Sequence, residues 1–190
     1  MIRQSSKQYF RGLGVVLGVL FLLPAPSQAD LWCTAYYPGW TQSFLPASAV
    51  DFRAISHIVH FSLVPVANGS LDSSPNGVTL ARSADVVSRA HAAGRKALIC
   101  VGGADSGGGF RAATTAAHRA TLISDLVNFM SARGYDGIDI DWEPLEASDA
   151  AQYSQFVTEL RTAIDAITPR PLLTAAAASF LDTEIQDANV

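Results

Sequence analysis

The sequence predicts an α/β protein in which parallel strands are joined by helices. Five short runs rich in aliphatic and aromatic residues have the length of strands, and segments with helical spacing of their apolar residues separate most of them. The strand-like runs cover residues 31–37, 54–64, 95–101, 136–143 and 172–177. Because strands and helices alternate with short joints, we expect parallel strands with helical crossovers. In such folds the functional residues lie at the carboxyl ends of the strands.

Three helices are predicted between these strands. They span residues 83–93, 115–133 and roughly 148–167. The first has Asp85 in its first turn and ends at Gly94, and the second ends at Gly134. Residues 106–109, which read SGGG, are predicted to form a flexible loop.

The fourth strand-like run, DGIDIDWE at 136–143, has four acids in eight residues, in a chain with only 16% charged residues. Successive side chains of a strand point to opposite faces, so Asp139, Asp141 and Glu143 are predicted to share one face. The other face then carries Ile138, Ile140 and Trp142. A barrel strand that packs under helices on one side and faces a confined interior on the other has this pattern.

Three carboxylates on one face of a buried strand cannot all ionise cheaply. Residues two apart on a strand lie about 7 Å apart at the backbone, so like charges there repel strongly. At least one carboxyl is therefore predicted to stay protonated at neutral pH, and at the open end of the strand it can act as a general acid. Two alternatives stay open: the acids form the solvated face of an edge strand, or they hold a divalent cation such as magnesium or calcium.

The string DGIDIDWE resembles the DxxDxDxE signature of the family 18 glycoside hydrolases, the chitinases and their relatives. The resemblance implies the (β/α)8 TIM barrel of that family. It implies that Glu143 is the general acid/base and that Asp141 orients and stabilises the substrate's acetamido group. It also implies that Asp139 is a buried carboxyl behind Asp141, and that Asp136, followed by Gly137, is structural at the strand's start.

Other strand ends resemble the same family. Tyr36 ends the first strand, where the family has a tyrosine near the catalytic subsite, and Phe61 matches an aromatic residue that borders the sugar. The segment CVGG resembles the family's SxGG, with Cys100 in place of the serine. The residues predicted to contact substrate are Tyr36, Phe61, Gly102, Gly103 and Trp142. Tyr36 and Trp40 have two open interpretations, as aromatics that stack on sugar rings or as core residues.

The first 29 residues have the features of a secretory signal peptide. Three basic residues precede the apolar run 12–23, and small residues at Ser27 and Ala29 favour cleavage after Ala29. An uncleaved membrane anchor is the alternative. Cleavage removes three of the 13 basic residues and none of the 17 acids, which changes the formal net charge from −4 to −7. We expect a secreted or periplasmic protein without a membrane segment, and the acidic charge argues against nucleic acid as a partner.

The cysteines and histidines suggest neither a disulfide nor a metal site. Cys33 and Cys100 both fall in predicted core strands and are expected to be free thiols. His57 and His60 are three residues apart, so they face opposite sides of a strand and are predicted to be structural. There is no clustered Cys/His motif and no phosphate-binding loop, so neither a metal nor a cofactor is predicted.

The length is short for the fold that the resemblance implies. Residues 30–190 make up roughly 160 residues after the leader, whereas a complete barrel needs about 250. We therefore expect the N-terminal portion of a catalytic barrel, ending after about the fifth strand, with little activity alone. A compact doubly wound domain is the structural alternative.

The resemblance implies a chitinase that cleaves β-1,4-linked N-acetylglucosamine with retention of configuration, using the substrate's own acetamido group. Its expected partners are chitin or N-acetylglucosamine oligosaccharides. A chitin-binding lectin of the same family is the first alternative, and an endo-β-N-acetylglucosaminidase acting on N-glycans is the second. A metal-dependent hydrolase is a third, and it follows from the interpretation of the acids as cation ligands.

Overall fold

A computed structural model describes residues 31–177, and it places five parallel strands side by side in one sheet. The strands are β1 (Thr34–Pro38), β2 (His57–Pro65), β3 (Leu71–Asp72), β4 (Lys96–Gly103), β5 (Gly137–Trp142) and β6 (Leu172–Ala175). Their order is β1-β2-β4-β5-β6, and the two-residue β3 pairs with β2 in the antiparallel sense. The predicted α/β class is therefore confirmed. The predicted leader at 1–29 lies outside the described residues.

Four helices connect the strands. They are α1 (Leu80–Ala92), α2 (Gly107–Ala113), α3 (Arg119–Arg133) and α4 (Ala150–Asp165). Short 3-10 turns follow β1 at Gly39–Ser43 and Ala47–Ala49, and another precedes α4 at Ala147–Asp149. No helix within residues 31–177 is both long and apolar enough to cross a membrane.

The sheet carries separate apolar clusters on its two faces. Ile138 and Ile140 of β5 belong to the large core that also contains the buried side chains of α1, α3 and α4. On the other face Val59, Leu98 and Cys100 form a smaller cluster, each at most 1% exposed. Cys100 is paired in register with Asp139, so this smaller cluster lies on the acidic side of β5.

The predicted loop at 106–109 is wrong, because residues 107–113 form α2. Consecutive glycines usually indicate a loop, but here they allow close packing. A Cβ atom on Gly107 would lie 2.7 Å from the Pro144 carbonyl oxygen, so only glycine lets α2 approach the segment after β5. A helix N-terminus therefore packs against the end of the acidic strand.

Two helix starts also differ from the predictions. Helix α1 begins at Leu80, because the Thr79 hydroxyl accepts a hydrogen bond from the Arg82 backbone N–H at 3.2 Å. Asp85 therefore lies beyond the first turn, where its carboxylate pairs with Arg89 at 2.7 Å. Helix α3 begins four residues later than predicted, at Arg119.

Replacing Gly102 with alanine is expected to destabilise the fold by at least about 3 kcal/mol. Gly102 has a φ of 108°, and a Cβ atom there would lie 2.0 Å from the backbone oxygen of Asp141. Gly108→Ala is the control, since nothing lies within 4 Å of its added methyl group and alanine favours the helix by about 0.5–1 kcal/mol. Urea unfolding measures both variants, and equal stabilities would contradict this account of β4.

Candidate active site

Strand β5 lies between β4 and β6, and all six of its residues are buried. Ile138, Ile140 and Trp142 point into the core under the helices. Asp139 and Asp141 therefore point to the other face, as the alternation predicts. This position contradicts the interpretation of the acids as a solvated edge-strand face.

Asp139 is 3% exposed and is held at both carboxylate oxygens. The Tyr36 hydroxyl donates to Oδ2 at 2.9 Å, and the Thr174 hydroxyl donates to Oδ1 at 2.5 Å. Burial raises the pKa of Asp139, while hydrogen bonds from Thr174, Tyr36 and Cys100 act in the opposite direction. The pKa of Tyr36 is raised by its own burial and by the charge of Asp139, so Tyr36 remains a hydrogen-bond donor.

Asp141 is the carboxyl that holds a proton near neutral pH. Burial raises its pKa to about 7, and the charges of Glu143 and Asp139 and a hydrogen bond with Glu143 act in the same direction. Its side chain is 7% exposed, and Oδ1 has no hydrogen-bond partner among the described residues. The protonated carboxyl expected from the sequence is thus Asp141.

Glu143 and Asp141 open into a cleft of about 360 Å³ at the carboxyl end of the sheet. The cleft is lined by Tyr36, Pro38, Trp40, Phe61, Asp141, Glu143 and Ala176. Tyr36 is 46% exposed and Trp40 is 48% exposed, so neither is a core residue. Both meet Phe61 edge to face, with ring centroids 6.1 Å and 5.8 Å away respectively. The cleft therefore combines acids with aromatic faces.

Ser106 fixes the backbone beneath Glu143. Its hydroxyl donates to the Asp141 carbonyl oxygen at 3.1 Å and accepts from the Glu143 N–H at 3.2 Å. The Gly107 N–H donates to the Glu143 carbonyl oxygen at 2.7 Å. Sequence reasoning missed Ser106, because it fell in the presumed loop.

Trp142 does not reach the cleft, so its predicted substrate contact is wrong. It is 4% exposed and stacks on Phe110 with centroids 4.7 Å apart, on the apolar side of β5. The same alternation that groups the acids turns Trp142 towards the helices. Gly102 and Gly103 are also outside the cleft lining: Gly102 pairs in register with Asp141, and Gly103 packs under the Phe61 ring.

Asp136 lies just before β5, at the opposite end from the cleft. Its carboxylate pairs with Lys96 Nζ and His91 Nε2, both at 2.8 Å, and accepts the Ala97 N–H at 2.9 Å. Burial alone would raise the pKa of Asp136, but the hydrogen bonds from Lys96, Ala97 and His91 outweigh it and lower the pKa. Next to it, Gly137 leaves no room for a side chain, since a Cβ atom would meet Leu172.

The histidines and cysteines have separate surroundings. His57 stacks on Trp32, while His60 is fully buried and its Nδ1 lies 2.6 Å from the Tyr135 hydroxyl. Cys33 is exposed, which corrects its predicted place in a core strand, and Cys100 is buried; both are free thiols, as predicted. Within residues 31–177 no three His, Cys, Asp or Glu side chains are grouped so as to hold a metal ion.

The family model for glycosyl hydrolases family 18 matches residues 33–188, so the chain belongs to that family. It is 27% identical over 165 residues to a chitinase-like effector of Moniliophthora roreri, covering 80% of this chain and 39% of the relative.

Solved chitinases have the same fold. Catalytic domain 2 of the Ostrinia furnacalis Group II chitinase superposes with a TM-score of 0.71 at 22% identity, over 83% of this chain and 46% of that one. A Cycas revoluta chitinase solved with allosamidin gives a TM-score of 0.68 at 25% identity, over 76% of this chain and 45% of that one. The chain therefore spans less than half the length of these relatives.

The raised pKa of Asp141 makes stability depend on pH. A carboxyl that keeps its proton in the fold contributes stability that is fully present below its ordinary value of 3.8 and is lost as pH rises through about 7. Asp141→Asn removes this loss. We measure the melting temperature of the variant minus that of wild type. We expect this difference to be larger by roughly 5 °C at about pH 8 than at about pH 5.

Asp72→Asn is the matched control. Asp72 is only partly buried, and hydrogen bonds from Ser74 lower the pKa of its carboxyl, so it is ionised throughout this range. The difference in melting temperature between Asp72→Asn and wild type should be the same at both pH values. If the difference in melting temperature between Asp141→Asn and wild type were also the same at both pH values, Asp141 would not retain its proton.

Proposed function

We propose that the chain is the N-terminal part of a secreted chitinase that hydrolyses β-1,4 bonds between N-acetylglucosamine units. The observation that supports this most directly is the acidic face of β5, where Asp141 and Glu143 enter a cleft beside Tyr36 and Trp40. Aromatic faces pack well against sugar rings, and the cleft supplies three aromatic side chains. Secretion is proposed from the leader-like composition of residues 1–29.

In the proposed mechanism the proton held by Asp141 passes along its hydrogen bond to Glu143, and Glu143 protonates the oxygen of the leaving sugar while the acetamido oxygen of the substrate attacks the anomeric carbon. A positively charged oxazolinium ion forms, and Glu143 then serves as base for the incoming water. Positive charge beside Asp141 favours the ionised carboxylate. Asp141 therefore interacts more strongly with the transition state than with the ground state, which is the condition for catalysis.

The alternatives differ in the measured product. A lectin binds chitin oligomers without releasing shorter ones, whereas an endo-β-N-acetylglucosaminidase releases glycans from a glycoprotein and leaves chitin oligomers intact. A metal-dependent hydrolase loses activity when a chelator is added. Assays on chitin oligomers and on an N-glycosylated protein, each with and without chelator, separate these possibilities.

Replacing Glu143 with glutamine is expected to lower kcat on a fluorogenic chitin oligomer by about 10³-fold or more, because the amide cannot donate the proton. Binding of the oligomer, measured by calorimetry, should change little, since glutamine keeps the shape of the side chain. The assay uses the full chain at high enzyme concentration, so that slow turnover is detected.

Glu146→Gln provides the control. Glu146 lies three residues further on, is 58% exposed and pairs with Arg111 at 3.0 Å, outside the cleft lining. Its kcat should remain near that of wild type. If Glu143→Gln turned over the substrate at the wild-type rate, Glu143 would not have its proposed role. If the wild-type protein bound the oligomer without any turnover, the lectin would be favoured.

A further inference from the structure

Thr174 makes a contact with the site that none of the roles above explains. It lies on β6 directly beside Asp139, with which it is paired in register. Its hydroxyl donates to Asp139 Oδ1 at 2.5 Å, a short distance typical of a hydrogen bond to an ionised carboxylate. The contact joins two neighbouring strands below the cleft.

The titratable groups around this contact explain why one hydroxyl matters. Asp139 is faced by Tyr36 from β1, by Cys100 from β4 and by Asp141 on its own strand, and the charge of Asp139 also acts on Tyr153 of α4. Asp141 is faced by Asp139 and Glu143, and its charge also acts on Tyr36 and Cys100. In the described part of the chain no Lys, Arg or His acts on either aspartate. Among the described residues, the negative charge of the pair is therefore compensated by the neutral donors to Asp139.

Asp139 has two hydroxyl donors besides the Cys100 thiol, and the two hydroxyls are not equivalent. Tyr36 lines the cleft and is 46% exposed, so a bound sugar contacts it directly. Thr174 is outside the cleft lining, within a strand, and its branched side chain has few rotamers. Thr174 is thus the donor whose position does not depend on the substrate.

We propose that Thr174 is a positioning residue: its hydroxyl holds Asp139 as the carboxylate and so keeps the exchangeable proton of the aspartate pair on Asp141, beside Glu143. This proposal rests on the proposed function for its catalytic consequence. Its physical content, the location of one proton, is independent of turnover.

Removing the Thr174 hydroxyl has a defined electrostatic result. Without that donor the Asp139 carboxylate is less stable, so Asp139 takes up the proton more readily. Asp141 then faces a neutral neighbour and ionises more easily. Because the two groups titrate together, their apparent pKa values move in opposite directions.

The test is Thr174→Val, which keeps the shape of the side chain and removes the donor. Carboxyl carbon resonances of the full chain, labelled at aspartate, are followed against pH. We expect the pKa of Asp141 to fall by about one pH unit and that of Asp139 to rise. In an active preparation, the limb of the pH profile of kcat/KM that follows Asp141 should move by the same amount.

Thr174→Ser retains the hydroxyl and should restore both the titration and the profile. Thr162→Val is the matched control, because its hydroxyl bonds only to the Thr158 carbonyl on α4, and it should leave both unchanged. If Thr174→Val prevents folding, Tyr36→Phe removes the other hydroxyl donor and should move the Asp141 titration in the same direction.

The outcomes separate the two proposals. An unchanged Asp141 titration in folded Thr174→Val would overturn the role of Thr174, even if wild type hydrolyses chitin. A shifted titration in a protein without turnover would support the role of Thr174 and count against the glycosidase. A stability loss with no change in the titration would make Thr174 merely structural.

Discussion

The repulsion among carboxylates on the inner face of β5 is the constraint on which the site depends. Asp139 and Asp141 are both almost fully buried, and the structure supplies neutral hydroxyl and thiol donors rather than cations. Two adjacent buried carboxylates without a cation cannot both ionise cheaply, because desolvation and their mutual repulsion both oppose the second charge. One proton therefore stays in the cluster, and its position decides which carboxyl is neutral. Next to the cleft that carboxyl is Asp141, with its pKa raised to about 7.

The two ends of this strand show how environment sets acidity. Asp136 has Lys96 and His91 within 2.8 Å, and its pKa is lowered. Asp139, three residues further along, has hydroxyl partners and no cation among the described residues, and its pKa is raised. The same residue type thus acts as a permanent anion at the base of the sheet and as a partner in proton sharing near its rim. The rim is also the end of the sheet at which the chemistry of TIM-barrel enzymes lies, at the carboxyl ends of the strands.

Much of this arrangement follows from sequence, because alternation along a strand is a local rule. The alternation of side chains along β5 places Asp139 and Asp141 on one face and turns Trp142 to the opposite face, away from the cleft. Ser106 was missed because its role depends on α2 packing against Pro144, which three consecutive glycines conceal. Thr174 was missed because its contact depends on which residues of β5 and β6 are paired, and that pairing could not be read from the apolar pattern of the two strands alone.

Infrared difference spectroscopy can detect whether one carboxyl of the β5 cluster is protonated near neutral pH. A protonated carboxyl has a C=O stretching band that ionised carboxylates lack. We expect this band to be present at about pH 6 and to disappear by about pH 8, with a midpoint near the pKa of about 7 of Asp141. A spectrum without this band at the lower pH, showing every carboxyl already ionised, would contradict it.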